Sequence, residues 1–421
     1  MGQQTPHFKA SGRPRVLLIA EAVTLAHVGR PIALAHTLDQ ARYEIEFATD
    51  PRYRRFLGET PWTFHPLTSL DSSIFLDRLA RGRPVYDAAT LHDDVKADLA
   101  LLEQSTPDLI IGDFRLSLSV SARLAGIPYA AITNAYWSPC VQSNYHAPEH
   151  PLLSRLPVVL ADSLFRLVRP FAFALHTLPL NQVRRAYGLP SLGLDLRTIY
   201  TAADFVLYAD APELFTARQL PSSHHYLGPV LWSPPQSKPE WWDRMPTDRP
   251  IIYLTLGSSG PVRLLSPILR VLGDLPVYVM LATADRIHPA ELPDNVYAAP
   301  YLPGDEAAAR AALVICNGGS PTSQQALNQG TPVLGIASNL DQILNMAAVA
   351  TAGAGVLMRA DRLKPEPLRA TVMQMLTNPS FRTAAGKVSE YFKIHSAAER
   401  FPAFVQSRLP VAATPMNHKV F

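Results

Sequence analysis

Two doubly wound α/β domains are predicted by three observations along the 421 residues. Short apolar runs alternate with helical patterns in both halves, as parallel sheets with crossover helices require. A Pro-rich stretch without periodicity, Trp232 to Pro250, separates the halves. The length also exceeds that of one ordinary domain, so two cores of about 200 residues each are expected. The sequence therefore divides into a flexible lead-in (1–14), an amino-terminal domain (15–231), a linker (232–250), a carboxyl-terminal domain (251–395) and a last segment (396–421).

In the first half RVLLIA (15–20) reads as a buried strand, the loop EAVTLAH follows, and a helix is expected from about 30 to 40 with Pro31 in its first turn. YEIEFAT (43–49) is the next strand. PDLIIGD (107–113) is a later one that ends in a carboxylate, before a helix over about 116–125, Gly126 and the strand YAAIT. In such sheets ligands sit beyond the carboxyl ends of the strands, which is where His27 and Asp113 fall. An Asp there either caps the following helix or holds a histidine in one tautomer. Residues 58–95 and 134–190 are less regular and rich in aromatics and prolines. Phe75, Tyr136, Trp137 and His146 are the candidates there for an apolar, acceptor-binding cleft. FVLYADAPELF and YLGPV read as the last strands of this half.

The second half opens on PIIYLTLGSSG, a strand and turn whose Gly257, Ser258 and Ser259 offer amides and hydroxyls to an anion. Its most informative stretch is CNGGSPTSQQALNQGTPVLGIASNLDQILNM, 316–346. An apolar run ending at Cys316 leads through Gly318 and Gly319 to a helix expected from about Thr322, with Ser320 in the turn. The glycines permit close backbone approach, and the helix start favours a pyrophosphate. Gly330 and Pro332 end that helix, VLGIA is the next strand, and a loop is expected to carry Asp341, Gln342 and Asn345 as partners for sugar hydroxyls. A final strand follows Gly353, helical patterns run from about 365 to 388, and SAAERFPAFVQSRL is an amphipathic segment.

The 316–346 stretch resembles the donor-binding motif of the UDP-glycosyltransferase superfamily, the inverting two-domain enzymes of GT-B architecture. Their bacterial members carry an HGGxGT turn, a Glu, a GxP and a DQxxNA; here Gly318, Gly319, Thr322, Gly330, Pro332, Asp341, Gln342 and Asn345 match. AHVGRPIALA around His27 is similar to the family's GHxxPxLALA, and Asp113 precedes a small-residue helix and Gly126-Ile127-Pro128, as the family's His-orienting Asp does. The resemblance implies two Rossmann-like domains facing each other across a cleft, a catalytic His27 oriented by Asp113, Tyr301 packed on the nucleotide base, and a carboxyl helix crossing back to the first domain. Two positions depart from the pattern. Asn317 stands for the phosphate-binding His and Gln325 for a ribose-binding Glu, which keeps hydrogen-bonding capacity and loses charge.

Partners expected from this reading are a UDP- or dTDP-sugar donor and an apolar small-molecule acceptor. No DxD triplet occurs, in keeping with metal-independent departure of the nucleotide and no cofactor. A net charge of +3 without polybasic runs argues against nucleic acid. Two cysteines, Cys140 and Cys316, in apolar surroundings, and the absence of an apolar leader or a run of membrane-spanning length, point to a soluble cytoplasmic protein. Two other classes share the architecture. A non-catalytic auxiliary protein would bind no nucleotide, and a UDP-sugar epimerase would convert its substrate without an acceptor.

Overall fold

The computed structural model describes residues 12–257, 260–286 and 292–410. In the first half the apolar runs form β1 (Arg15–Ala20), β2 (Glu44–Thr49), β3 (Thr63–Pro66), β4 (Leu109–Asp113), β5 (Tyr129–Thr133), β6 (Phe205–Tyr208) and β7 (His224–Tyr226). The helices between them are α1 (Leu25–Ala35), α2 (Ser72–Ala80), α3 (Ala88–Ser105), α4 (Leu118–Ala125), α5 (Val158–Ala186) and α6 (Leu196–Tyr200). The second half supplies β8 (Ile251–Thr255), β9 (Tyr278–Ala282), β10 (Val296–Ala299), β11 (Leu313–Cys316), β12 (Val333–Ala337) and β13 (Gly355–Arg359). Around these lie α7 (Leu265–Gly273), α8 (Gly304–Arg310), α9 (Ser320–Asn328), α10 (Leu340–Thr351), α11 (Pro365–Thr377), α12 (Pro379–Ile394) and α13 (Ala397–Arg408).

Both sheets are parallel. Their orders are β3-β2-β1-β4-β5-β6-β7 and β10-β9-β8-β11-β12-β13, so the direction of winding reverses between β1 and β4 and again between β8 and β11. A reversal leaves a crevice beyond the carboxyl ends of the two strands, because the following loops diverge to opposite faces. In register, Ala20 lies beside Asp113 and Thr255 beside Cys316, so the loops carrying the candidate groups leave at both reversal points. The strands β4, β5, β8, β11 and β12 are buried along their whole lengths, as sheets covered on both faces require.

Several boundaries differ from the sequence expectation. Helix α1 starts at Leu25 rather than near Arg30, which puts His27 in its first turn and Pro31 in its interior. Pro31 leaves the His27 carbonyl without its usual donor, and the burial of Val28, Ile32 and Leu34 under the sheet holds the helix together. Helix α5 runs unbroken for 29 residues through the region expected to be irregular, with Pro170 and Pro179 inside it. Asp341, Gln342 and Asn345 lie on α10, not in a loop; its start carries a capping box between Asn339 and Gln342. The strand expected at YLGPV instead occupies His224–Tyr226.

Helix α13 follows the second domain in sequence but packs on the first. Phe401, Phe404 and Val405 share a buried cluster with Val16, Leu18, Ile32 and Phe47 around β1 and α1. No helix among the described residues is long and apolar enough to cross a membrane.

Candidate active site

The two reversal points open into one cavity of about 270 Å³ between the domains, lined by residues of both. On the first domain's side His27 leaves the first turn of α1 and Asp113 ends β4. The Asp113 carboxylate is fully buried, and its Oδ1 stands 2.8 Å from Nδ1 of His27. It does not cap α4, whose cap residue is Ser117. Nη2 of Arg30 also stands 3.0 Å from that Nδ1. In the tautomer that donates Nδ1–H to Asp113, Nε2 is the nitrogen left to take a proton from a ligand.

Arg30, one helical turn after His27 on the same face of α1, donates to both oxygens of Asp113 at 2.8 Å. A third bond, from Nη1, goes to Oδ1 of Asn134 at 2.8 Å. Burial opposes the Arg30 charge, but the Asp113 carboxylate outweighs it and holds the guanidinium above its ordinary range. Phe114 adopts a left-handed backbone conformation (φ 60°), uncommon for a bulky residue, and its ring stacks on His27 at 4.6 Å and 18°. Arg30, Phe114 and Asn134 all line the cavity and were not foreseen. Had α1 been read from Leu25, the i, i+3 spacing would have exposed Arg30.

A buried chain of polar groups runs from this dyad into the second domain. Asn134 donates to Asp210 at 3.2 Å and to Ser320 at 3.3 Å, and Gln324 of α9 donates to Asp210 at 2.9 Å and to the Ala209 carbonyl at 2.8 Å. Burial pushes the Asp210 carboxyl up to about 6, although bonds from the Ala135 amide and Asn134 favour its charge.

On the second domain's side α9 points its amino end into the cavity. Asn317, Gly319, Ser320, Thr322, Gln325 and Gly257 line it. Gly318 has φ +80° and a Cβ there would stand 2.7 Å from Cγ of Met346, so the turn admits only glycine. The first-turn amides of Ser320 and Thr322 belong to the set that helix geometry leaves unpaired, whereas Pro321 contributes none. The Asn317 side chain accepts from the Gly319 amide at 3.1 Å. Ser258 and Ser259 lie outside the described residues.

The remaining candidates divide. Tyr301 lines the cavity and meets Phe56 of the first domain edge-on. Phe75 and Trp137 line it as well. Asp341 does too, and accepts from Trp137 Nε1 at 2.8 Å and from the Tyr136 hydroxyl at 3.1 Å, so an aromatic pair of one domain steadies a carboxylate of the other. Tyr136 itself is fully buried behind the wall. Gln325 donates to the Trp232 carbonyl at 2.7 Å and to Ser233 at 2.8 Å, tying α9 to the linker. Gln342 reaches the cavity edge while its Oε1 accepts from the Ser338 amide. Asn345 is not among the lining residues; buried, it donates to the Gly318 carbonyl and to Ser323, both at 2.8 Å, and so clasps the glycine turn from behind. His146 is also elsewhere, held by Asp162 at 2.7 Å.

Comparison with known proteins gives this arrangement its context. Residues 258–409 match the family described as erythromycin biosynthesis protein CIII-like, C-terminal domain. A PGL/p-HBAD biosynthesis glycosyltransferase of Mycobacterium tuberculosis is 52% identical over 397 residues, 94% of this chain and 92% of the relative. A PGL/p-HBAD biosynthesis rhamnosyltransferase of Mycobacterium bovis is 51% identical over 95% of this chain and 88% of its own length. Among solved structures, spinosyn rhamnosyltransferase SpnG complexed with thymidine diphosphate superposes with a TM-score of 0.65 at 20% identity, covering 93% of this chain and 99% of that one. The chain thus belongs to the UDP-glycosyltransferase superfamily, among its bacterial natural-product-type glycosyltransferases of GT-B fold.

Proposed function

We propose that this glycosyltransferase moves a sugar from a nucleoside diphosphate to a hydroxyl of a largely apolar acceptor, with inversion and without a metal ion. The observation that carries the reading is that the His27–Asp113 pair and the amino end of α9 line one cavity from opposite domains. Nε2 of His27 takes the acceptor's hydroxyl proton as its oxygen attacks the anomeric carbon from the face opposite the leaving group. The bond from that carbon to the diphosphate breaks, and the electron pair departs with the diphosphate. Amides of Ser320 and Thr322 and the α9 dipole meet the departing charge. Asp341, steadied by Trp137 and Tyr136, is the acceptor of hydrogen bonds from sugar hydroxyls. Phe75, Phe114 and Trp137 supply the apolar wall for the acceptor.

A rhamnosyltransferase among the relatives, and thymidine diphosphate in a structural neighbour, favour dTDP over UDP and a rhamnose-type sugar. Calorimetric titration with dTDP and UDP tests the donor site, and Asn317→His tests the phosphate contact. The expected result is saturable binding of dTDP, strengthened in the variant. No binding of either nucleotide by the folded protein would favour the second reading, a non-catalytic relative. That reading draws on the commitment of Gln325 and Gln342 to protein partners. For the base, His27→Ala is expected to lower turnover on the order of 10²- to 10⁴-fold.

A further inference from the structure

Helix α5 has an outer face that the transfer reaction does not use. Leu160, Leu164, Leu167, Phe171, Leu175 and Leu178 recur at intervals of three and four residues along it, and all are exposed, Leu167 at 70% and Phe171 at 77%. Val158 and Val159 in its first turn, and Leu152 before it, are exposed apolar residues as well. An apolar stripe over five turns costs solubility unless something covers it.

Along its own segment the exposed charges are of one sign. Asp162 is the sole acidic residue between Pro151 and Pro190, and it is buried, bound to His146 and the Ala147 amide. Arg155, Arg166 and Arg185 are exposed on the same segment. On one flank of α5 opens a second cleft whose charged lining consists of Arg166, Arg169, Arg197 and Arg218, without a carboxylate. Of these, Arg197 is paired with Asp195, and Arg169 stacks at 3.8 Å on the Tyr145 ring.

We propose that this face docks on an anionic lipid bilayer, the leucines and Phe171 entering the acyl boundary and the exposed Arg155, Arg166 and Arg185 beside them receiving headgroup phosphates. A stripe at helical spacing flanked by arginines is the pattern of helices that lie in the membrane interface. A second copy of the chain fits worse, since a two-fold interface sets a patch against itself and would oppose arginine to arginine. The inner face of α5 places Phe165, Phe173 and Leu180 in the cluster that also holds Phe75 and Tyr136, with Trp137 packed against it. Docking therefore sets the apolar wall of the cavity just above the lipid, where an acceptor anchored in the bilayer reaches it.

The full chain, without nucleotide, is sedimented with phosphatidylcholine vesicles and with vesicles in which about a third of the lipid is phosphatidylglycerol, a contrast that isolates surface charge. Binding to the anionic vesicles only is expected. It should fall at least about tenfold in Leu167→Glu/Phe171→Glu, which loses apolar insertion, and fall several-fold in Arg166→Glu and in high salt. All three positions are exposed, and an unchanged unfolding midpoint shows that the variants fold. Absence of wild-type binding, or binding unchanged in the double variant, would overturn the proposal. So would a lipid-free dimer dispersed by the double variant, which would assign the face to a second copy.

Discussion

Replacing Asp113 with asparagine separates the two tasks its carboxylate performs. As a hydrogen-bond acceptor it fixes His27, and as a charge it answers Arg30, which is only 5% exposed while Asp113 is 0% exposed. Asparagine offers an amide of similar shape. Its Oδ1 can still accept from Arg30, but its NH2 then faces Nδ1 of His27 and draws the ring proton to Nε2, the tautomer that cannot act as base. Turnover is expected to fall on the order of 10²- to 10⁴-fold with donor affinity little changed. The folded state also keeps a buried guanidinium without its counter-charge, for which about 3–5 kcal/mol of lost stability is the usual scale. Against a total of about 5–15 kcal/mol such a loss is plain in a denaturant titration. Arg30→Met strands the Asp113 charge in turn and destabilises comparably, whereas the double variant buries neither charge. Its loss of stability should be smaller than the sum of the singles by about 2 kcal/mol or more, while its turnover stays low. Near-normal turnover of Asp113→Asn would remove the orienting role, and additive stabilities would refute the ion pair.

Three further outcomes are expected. Asp210 has a folded carboxyl raised from 3.8 to about 6, so the folded chain keeps a proton that the unfolded chain loses; the stability this contributes is full below 3.8 and is lost as pH rises toward 6. In urea titrations at several pH values, Asp210→Asn should remove a decline of about 3 kcal/mol over that window, and an unchanged pH slope would contradict the assignment. Gly318→Ala meets both a left-handed backbone and Met346; it should destabilise by about 1–3 kcal/mol and weaken nucleotide binding in calorimetry, and unchanged binding would remove the turn from the donor site. Phe401→Ala empties a fully buried site beside β1 and should cost about 3–5 kcal/mol, read as a lower unfolding midpoint of the amino-terminal domain.

Much of this architecture was legible because parallel strands buried on both faces leave unambiguous apolar runs, as in LIIGD and VLGIA. The glycine turn before α9 was legible for a similar reason: few residues tolerate φ +80° against Met346. Helix boundaries were harder, and proline was the cause. Pro31 read as a helix start and the prolines of 134–190 as marks of irregular chain, yet Pro31, Pro170 and Pro179 each sit inside a helix. In α5 the carbonyls they orphan belong to Arg166 and Leu175, both exposed residues, where solvent is available to a carbonyl that has lost its amide donor. The start of α10 was missed although Asn339 and Gln342 have capping-box spacing, because the polar run around them reads equally well as a loop. Arg30 went unnoticed because its partner Asp113 lies 83 positions away, and only the pairing of β1 with β4 joins them. The same distance effect hid the role of Asn345, which looked like a ligand group and proved to be a clasp.

The return of α13 to the first domain has a consequence for how the chain is made. Synthesis runs from the amino terminus, so β1 through β7 leave the ribosome long before Phe401, Phe404 and Val405, which close the cluster around Val16 and Phe47. Until then the amino-terminal domain exposes apolar surface at α1, while the second domain has its own strands and clusters complete by the end of α12. Domains generally fold as units in order of synthesis, with exposed apolar surface the hazard of each unfinished stage. Here the order is inverted at the last step. The domain that emerges first is the one that finishes last, and a released chain ending at residue 396 should carry a protease-resistant second domain beside a first domain still open to cleavage.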